Sequence, residues 1–197
     1  MAVAQQLETI YDQDNDHEAA ARLYAELVPT LPEGDVRRRY ALYLGRLSWD
    51  KGKQREPAEK WLRAADTGGN DAISVEAAFR QTEISLAAKR TKEARAALEK
   101  LARRDLKGSD WYVPVHYQLA VLYHQADQLR EALDEYKRVT AADSAETRKL
   151  YPKAIAQSRE QVTQLEAYLR IRGGAAGSRI ESPAYVEKPP TPGPKTR

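Results

Sequence analysis

The chain of 197 residues has no cysteine, one phenylalanine and one methionine. The lack of cysteine excludes a disulfide framework, thiolate metal sites and thiol nucleophiles, and leaves the redox compartment open. No stretch approaches the ~20 uncharged apolar residues of a membrane-spanning helix. Met1 to Leu7 has neither a basic leader nor an apolar run, so no secretory signal is visible. This suggests a cytoplasmic protein by default, or one of the bacterial periplasm or envelope if a leader has been removed. No glycine-rich phosphate loop is present either. Gly68-Gly69 and Gly173-Gly174 follow helical patterns without the downstream residues of a nucleotide site.

Catalytic and metal-binding patterns are equally sparse. Asp12, Asp14 and Asp16 alternate as in a calcium loop, but the sixth and twelfth positions are His17 and Leu23 instead of Gly and Glu, and an inter-helix turn accounts for the acids. His116 and His124 are two helical turns apart with no acid between them, a poor chelate. Ser48, Thr82 and Ser85 fall where a repeating pattern demands small side chains, so packing explains them without a nucleophile. The expectation is a non-enzyme with no cofactor and no metal.

Net charge is +3 and the pI is near 9.0, which raises nucleic-acid binding as a question. Residues 170–197 hold six basic and two acidic residues, a net of +4, so the preceding 169 residues sum to −1. A nearly balanced body with a basic tail does not predict a phosphate-binding surface. The cluster Arg37-Arg38-Arg39 reads as a solvated helix face.

One sparse pattern is present four times, at starting points 37, 37 and 38 residues apart. It is carried by Leu7, Tyr11, Ala20, Tyr24, Leu27 and Pro32, then by Leu44, Gly45, Ser48, Trp61 and Ala64. A fainter third copy has Thr82, Ser85, Ala94, Leu98 and Leu101, and the fourth has Leu119, Ala120, Tyr123, Ala132, Tyr136 and Val139. Within each copy, bulky and small residues share one helical face, and polar breakers separate two such faces: Asp14 to Asp16, Lys51-Gly52 and Ala126-Asp127. The unit is therefore a helical hairpin that cannot bury its apolar face alone and stacks on its neighbours. Eleven tyrosines against one phenylalanine suit such interfaces, where a ring packs and its hydroxyl stays wet.

The pattern resembles the tetratricopeptide repeats, whose 34-residue helix–turn–helix carries Leu-Gly/Ala, Tyr, Ala, Tyr/Phe, Ala and Pro at set offsets. Leu44-Gly45, Gly52, Leu119-Ala120, Tyr123, Ala132 and Tyr136 match. Glu8, Gln81-Thr82 and Pro57 depart from it, and Pro57 fits a first helical turn, where an amide hydrogen has no intrahelical partner. The resemblance implies an all-α, right-handed α-solenoid of about four units, near residues 1–34, 38–71, 75–108 and 113–146.

After the repeats, Ile155, Val162, Leu165 and Leu169, with small Ala154 and Ser158, predict one amphipathic capping helix over 147–172. A dimerising coiled coil is the rival, although barely two heptads are present. Residues 173–197 turn Gly/Ala-rich and then Pro-rich, with Tyr185-Val186 the only bulky pair, and predict a disordered or polyproline II tail.

The family likeness also implies where a partner sits: on the concave face lined by the first helix of each hairpin. Projecting those offsets selects Arg39, Leu42, Arg46 and Trp49, then Glu76, Phe79, Glu83 and Leu86, then Tyr117, Val121 and His124. The set is aromatic and aliphatic with charge of both signs, and suits a peptide or helix anchored by apolar side chains. Thr9, Arg46, Glu83 and Val121 do not reproduce the Lys/Asn carboxylate clamp of some family members. The expectation is a non-catalytic adaptor, bacterial by analogy with other repeats of its long period, that holds a protein or peptide partner in an assembly, without nucleic-acid binding or membrane insertion. Two alternatives stand beside it. One is a self-assembling scaffold that homo-oligomerises through the cap helix or the first hairpin, and the other is a regulatory domain cut from a larger protein or enzyme.

Overall fold

The structure, a computed structural model, describes residues 17–174. The expected first helix of hairpin 1, with Leu7 and Tyr11, the acidic turn Asp12 to Asp16 and the tail from residue 175 onward lie outside the described residues. Among those described, every regular element is helical, and the class is all-α, built of tetratricopeptide-like helical hairpins. No described helix is long and apolar enough to cross a membrane. The chain divides into two compact units, residues 1–97 and 98–197.

The N-terminal unit contains α1 (His17–Leu27), a 3-10 turn (Val28–Thr30), α2 (Asp35–Asp50), α3 (Arg55–Ala65), α4 (Ala72–Ala87) and the start of α5 (Thr91–Ala102). Ala41, Leu44, Gly45, Leu47 and Ser48 recur every three or four residues on α2 and are buried, as are Ala58, Trp61, Leu62 and Ala65 on α3. Gly45 sets the approach of these two helices: a Cβ there would lie 2.6 Å from Leu62 Cγ. Pro57 is the third residue of α3 and costs no hydrogen bond in that first turn. The core continues through Ala20, Tyr24 and Val28 on one side and Ala77 and Ile84 on the other. Tyr24, fully buried, stacks on Tyr40 at 5.5 Å and meets Tyr43 edge-on at 5.2 Å.

Three hairpin turns use one device. Lys53, Lys89 and Asp127 adopt left-handed backbone with φ of 51°, 59° and 57°. In the second and third of these turns the amide after that residue bonds back to the end of the first helix, Arg90 N to Ser85 O at 2.8 Å and Gln128 N to Tyr123 O at 2.9 Å. Those bonds satisfy carbonyls that a helix end leaves open.

The basic run at 37–39 departs from the expected solvated face. Arg38 donates from Nε to the Ala65 carbonyl (3.1 Å), from one terminal nitrogen to Asp35 (2.9 Å) and from the other to Asp71 Oδ1 (2.7 Å) and Ser74 Oγ (2.6 Å). Asp71 is also the N-cap of α4, accepting from Ser74 N. A single guanidinium thus joins the start of α2, the end of α3 and the cap of α4, because helix termini present unsatisfied groups that a fork of donors can reach. Only Arg39 of the run is exposed.

The C-terminal unit holds the end of α5, α6 (Tyr112–Gln125), α7 (Leu129–Ala141), α8 (Ala145–Leu150) and α9 (Pro152–Gly174). The expected single helix over 147–172 is divided. Ser144 and Thr147 form a capping box that starts α8. Tyr151, non-helical at φ −129° and ψ 50°, ends it before Pro152 opens α9, since the residue before a proline is disfavoured in the helical region. Ala154, Ile155, Ser158, Leu165 and Tyr168 of α9 are buried, and the helix lies against α7 and α6. Tyr151 donates to the Asp110 carbonyl at 2.6 Å, and burial together with Asp110 pushes its phenol up to about 12. Lys137 on α7 reaches Glu166 on α9 at 2.7 Å, and Asp143 accepts from both Arg148 and Arg159.

Candidate functional site

The first helices α2 and α4 pack side by side in the N-terminal unit, and a charged network lies between them. Arg46 Nε is 3.6 Å from Glu76 Oε1, which is 3.8 Å from Arg80 Nε. Arg80 extends a terminal nitrogen to Glu83 Oε2 at 3.1 Å and towards Asp50 Oδ1 at 3.9 Å. Only the Arg80–Glu83 contact is short enough for a hydrogen bond. Three carboxylates and two guanidiniums sum to −1. The Arg80 side chain is 7 % exposed, yet its Nε is buried without a hydrogen-bond acceptor, and Glu76 Oε1 is buried without a donor. Burial pushes the Glu83 carboxyl above its ordinary range; Arg80 pulls it down, while Asp50 and Glu76 push it further up. Beside this network Trp49 is half-buried, with Lys53 Nζ 5.6 Å over its ring.

Such an arrangement has unused hydrogen-bonding capacity in a partly desolvated place. That is costly to leave unmet, and a polar or cationic group from another molecule could use it. Among the described residues, no group of three or more His, Asp or Glu side chains is placed to hold a metal ion.

Of the positions projected from the sequence, Arg39 is exposed and Arg46, Trp49, Glu83 and Leu86 are half-buried. Glu76 is 8 % exposed and sits inside the network. Leu42 is part of the N-terminal core, and Phe79 is buried with its carbonyl accepting from Thr82 Oγ1 at 2.6 Å. Tyr117 and Val121 belong to the core of the C-terminal unit, where Tyr117 donates to Gln157 of α9 at 2.5 Å. His124 is buried with its ring edge-on to Tyr136. Tyr117 and Val121 are taken up by packing because α9 lies against hairpin 4, whereas Leu42 and Phe79 are buried within the N-terminal unit itself. His116 pairs with Glu135 on α7 (2.5 Å) under the ring of Tyr112, instead of acting with His124.

Asp50, Arg80 and Lys53 join the site without having been projected. Asp50 and Arg80 each stand one residue beyond a projected position, after Trp49 and Phe79, and four beyond Arg46 and Glu76. That i, i+4 charge pattern was the available signal.

The succession of helical hairpins is that of an all-α helical-repeat solenoid of tetratricopeptide-like units. No family model matches the chain, and no curated protein matches it in sequence. Two crystal structures of MamA share its fold. One has a TM-score of 0.57 at 15% identity, covering 91% of this chain and 97% of that one. The other has a TM-score of 0.54 at 15% identity, covering 84% and 95%. At such identity the likeness concerns the fold alone.

Proposed function

We propose that this chain is a non-catalytic adaptor of the tetratricopeptide-repeat family, which holds a peptide or helix of a protein partner on the α2/α4 face. The observation that supports this most directly is the under-coordinated network of Arg46, Asp50, Glu76, Arg80 and Glu83 beside Trp49. An aromatic anchor next to desolvated charge is the composition of an interface hot spot. The fold likeness to MamA agrees with a helical-repeat architecture. The net −1 of the network favours a partner with a cationic group, and Trp49 favours an apolar neighbour to that group.

Affinity capture with the full chain and with Arg46→Ala/Trp49→Ala tests this reading. The double variant should lose the captured partner and melt somewhat lower, because Trp49 packs against the N-terminal core while Arg46 meets Glu76 only at 3.6 Å from a partly exposed position; Arg46→Ala alone should weaken capture with little change in melting. Equal capture by both proteins would sink the assigned face. Sedimentation that grows with concentration would instead favour the self-assembling scaffold.

A further inference from the structure

A second feature of the N-terminal unit rests on none of the charged-face residues. Ser48 on α2 and Tyr123 on α6 hold the same place in their repeats, each ten residues after its unit begins at 38 or 113. In hairpin 4 the tyrosine ring packs against the core of the C-terminal unit, and its hydroxyl donates to Glu99 Oε1 on the preceding helix α5 at 3.0 Å. The residue of α1 in the register of Glu99 is Ala25. The junction of hairpins 1 and 2 therefore has a small residue at both places where the junction of hairpins 3 and 4 has a large one.

The consequence is a cavity of about 350 Å³ in the N-terminal unit, lined by Ala21, Ala25 and Ser48 and by the buried Leu44 and Trp61. Glu18, Arg22 and Gln54 also line it and are exposed. The size lies at the low end of the roughly 300–1,000 Å³ of small-ligand pockets, room for one aromatic side chain and its flanking backbone. A ring entering it meets Ala21, Ala25 and Leu44 and the indole of Trp61, with the Arg22 side chain alongside. Among the lining groups the Glu18 carboxylate is the anionic acceptor, the part that Glu99 plays for Tyr123.

We propose that this cavity receives the tyrosine side chain of a partner polypeptide, standing in for the ring that hairpin 2 lacks. The phenol donates to Glu18, and Ser48 and Ala25 provide the space.

The test uses the full chain and three capped pentapeptides, alanine throughout except for tyrosine, phenylalanine or alanine at the centre. The Trp61 indole N–H signal is followed by NMR and assigned with Trp61→Phe. The tyrosine peptide should shift it saturably, with a dissociation constant of roughly millimolar size. The phenylalanine peptide should bind several-fold more weakly, and Glu18→Gln should narrow that difference. Ser48→Tyr fills the cavity from within and should abolish the shift. Ala25→Leu narrows it from the opposite wall and should do the same if Ser48→Tyr does not fold. The proposal is overturned by an absence of saturable shift, by equal response to the alanine peptide, or by binding that survives both cavity-filling variants. Self-association of the unmodified chain that Ser48→Tyr removes would assign the cavity to a second copy and overturn it as well.

Discussion

Gly45→Ala isolates the closest approach in the N-terminal unit. A methyl group at this position would lie 2.6 Å from Leu62 Cγ, 2.7 Å from Cδ2 and 3.2 Å from the Leu62 amide nitrogen. Ordinary carbon–carbon contacts lie near 3.5–4.0 Å, so relief requires a shift of about 1 Å. Leu62 is fully buried and has little room to turn, and no rotamer moves its backbone nitrogen. The helices α2 and α3 must therefore part slightly, at a cost of about 2–3 kcal/mol from the range for overpacked cores. Alanine recovers about 1 kcal/mol through its helix propensity. The net expectation is a loss of about 1–2 kcal/mol, measured by urea unfolding followed by circular dichroism with an unchanged slope. Leu62→Ala alone should cost about 2–4 kcal/mol by leaving a cavity. In the double variant the new methyl enters that space, so the combined loss should fall about 1 kcal/mol or more short of the sum. A stabilised Gly45→Ala, or strict additivity of the pair, would refute the claim that this glycine sets the helix separation.

Two further outcomes follow from the turns and the Arg38 clasp. Burial alone would raise the Asp71 carboxyl, but hydrogen bonds from Ser74 and Arg38 outweigh it and hold it below its usual value of 3.8. Its folded pKa is depressed, so its stabilisation is full above pH about 4 and disappears as pH falls through the folded pKa. Arg38→Ala should lower stability at neutral pH by about 2 kcal/mol, the scale of charged hydrogen bonds, and lessen the further loss under acid in pH-dependent melting. A variant with the parent's stability and acid profile would exclude the clasp. Lys89→Gly should raise the free energy of unfolding by about 1 kcal/mol, read as a higher urea midpoint, since glycine adopts φ 59° without the strain that a Cβ brings; a drop in stability would show that the lysine side chain matters more than its backbone.

The helical hairpins were legible because burial repeats with the helical period: Leu44, Gly45 and Ser48 on α2 and Leu119, Ala120 and Tyr123 on α6 hold matching places. The same register could not tell which first-helix positions remain open. Trp49 and His124 occupy equivalent offsets, yet Trp49 is half-buried while His124 is buried edge-on to Tyr136. The break at Tyr151 was signalled by Pro152 and by the Ser144/Thr147 box, local features that a search for long amphipathic spacing passes over. Ser48 was read as a small packing position. That reading omitted Ala25, nearly two dozen residues away, whose equally small side chain leaves the cavity unfilled.

Two arginines of the N-terminal unit, the half-buried Arg38 and the buried Arg80, show why similar charge leads to different roles. Arg38 meets helix ends, where a carbonyl and a capping carboxylate are already oriented and unsatisfied, so its contacts close to 2.6–3.1 Å and its Nε is used. Arg80 meets only side chains on the flanks of α2 and α4, which cannot all converge on it. Its contacts spread from 3.1 to 3.9 Å, and its Nε is left over. The first arrangement consumes its hydrogen-bonding capacity in joining helices. The second retains capacity that only reorganisation, water or another molecule can satisfy, so a partner gains most at Arg80 and Glu76 and least at Arg38. Substitutions along the two sites should accordingly separate, those at Arg38 acting on stability and those around Arg80 acting on capture.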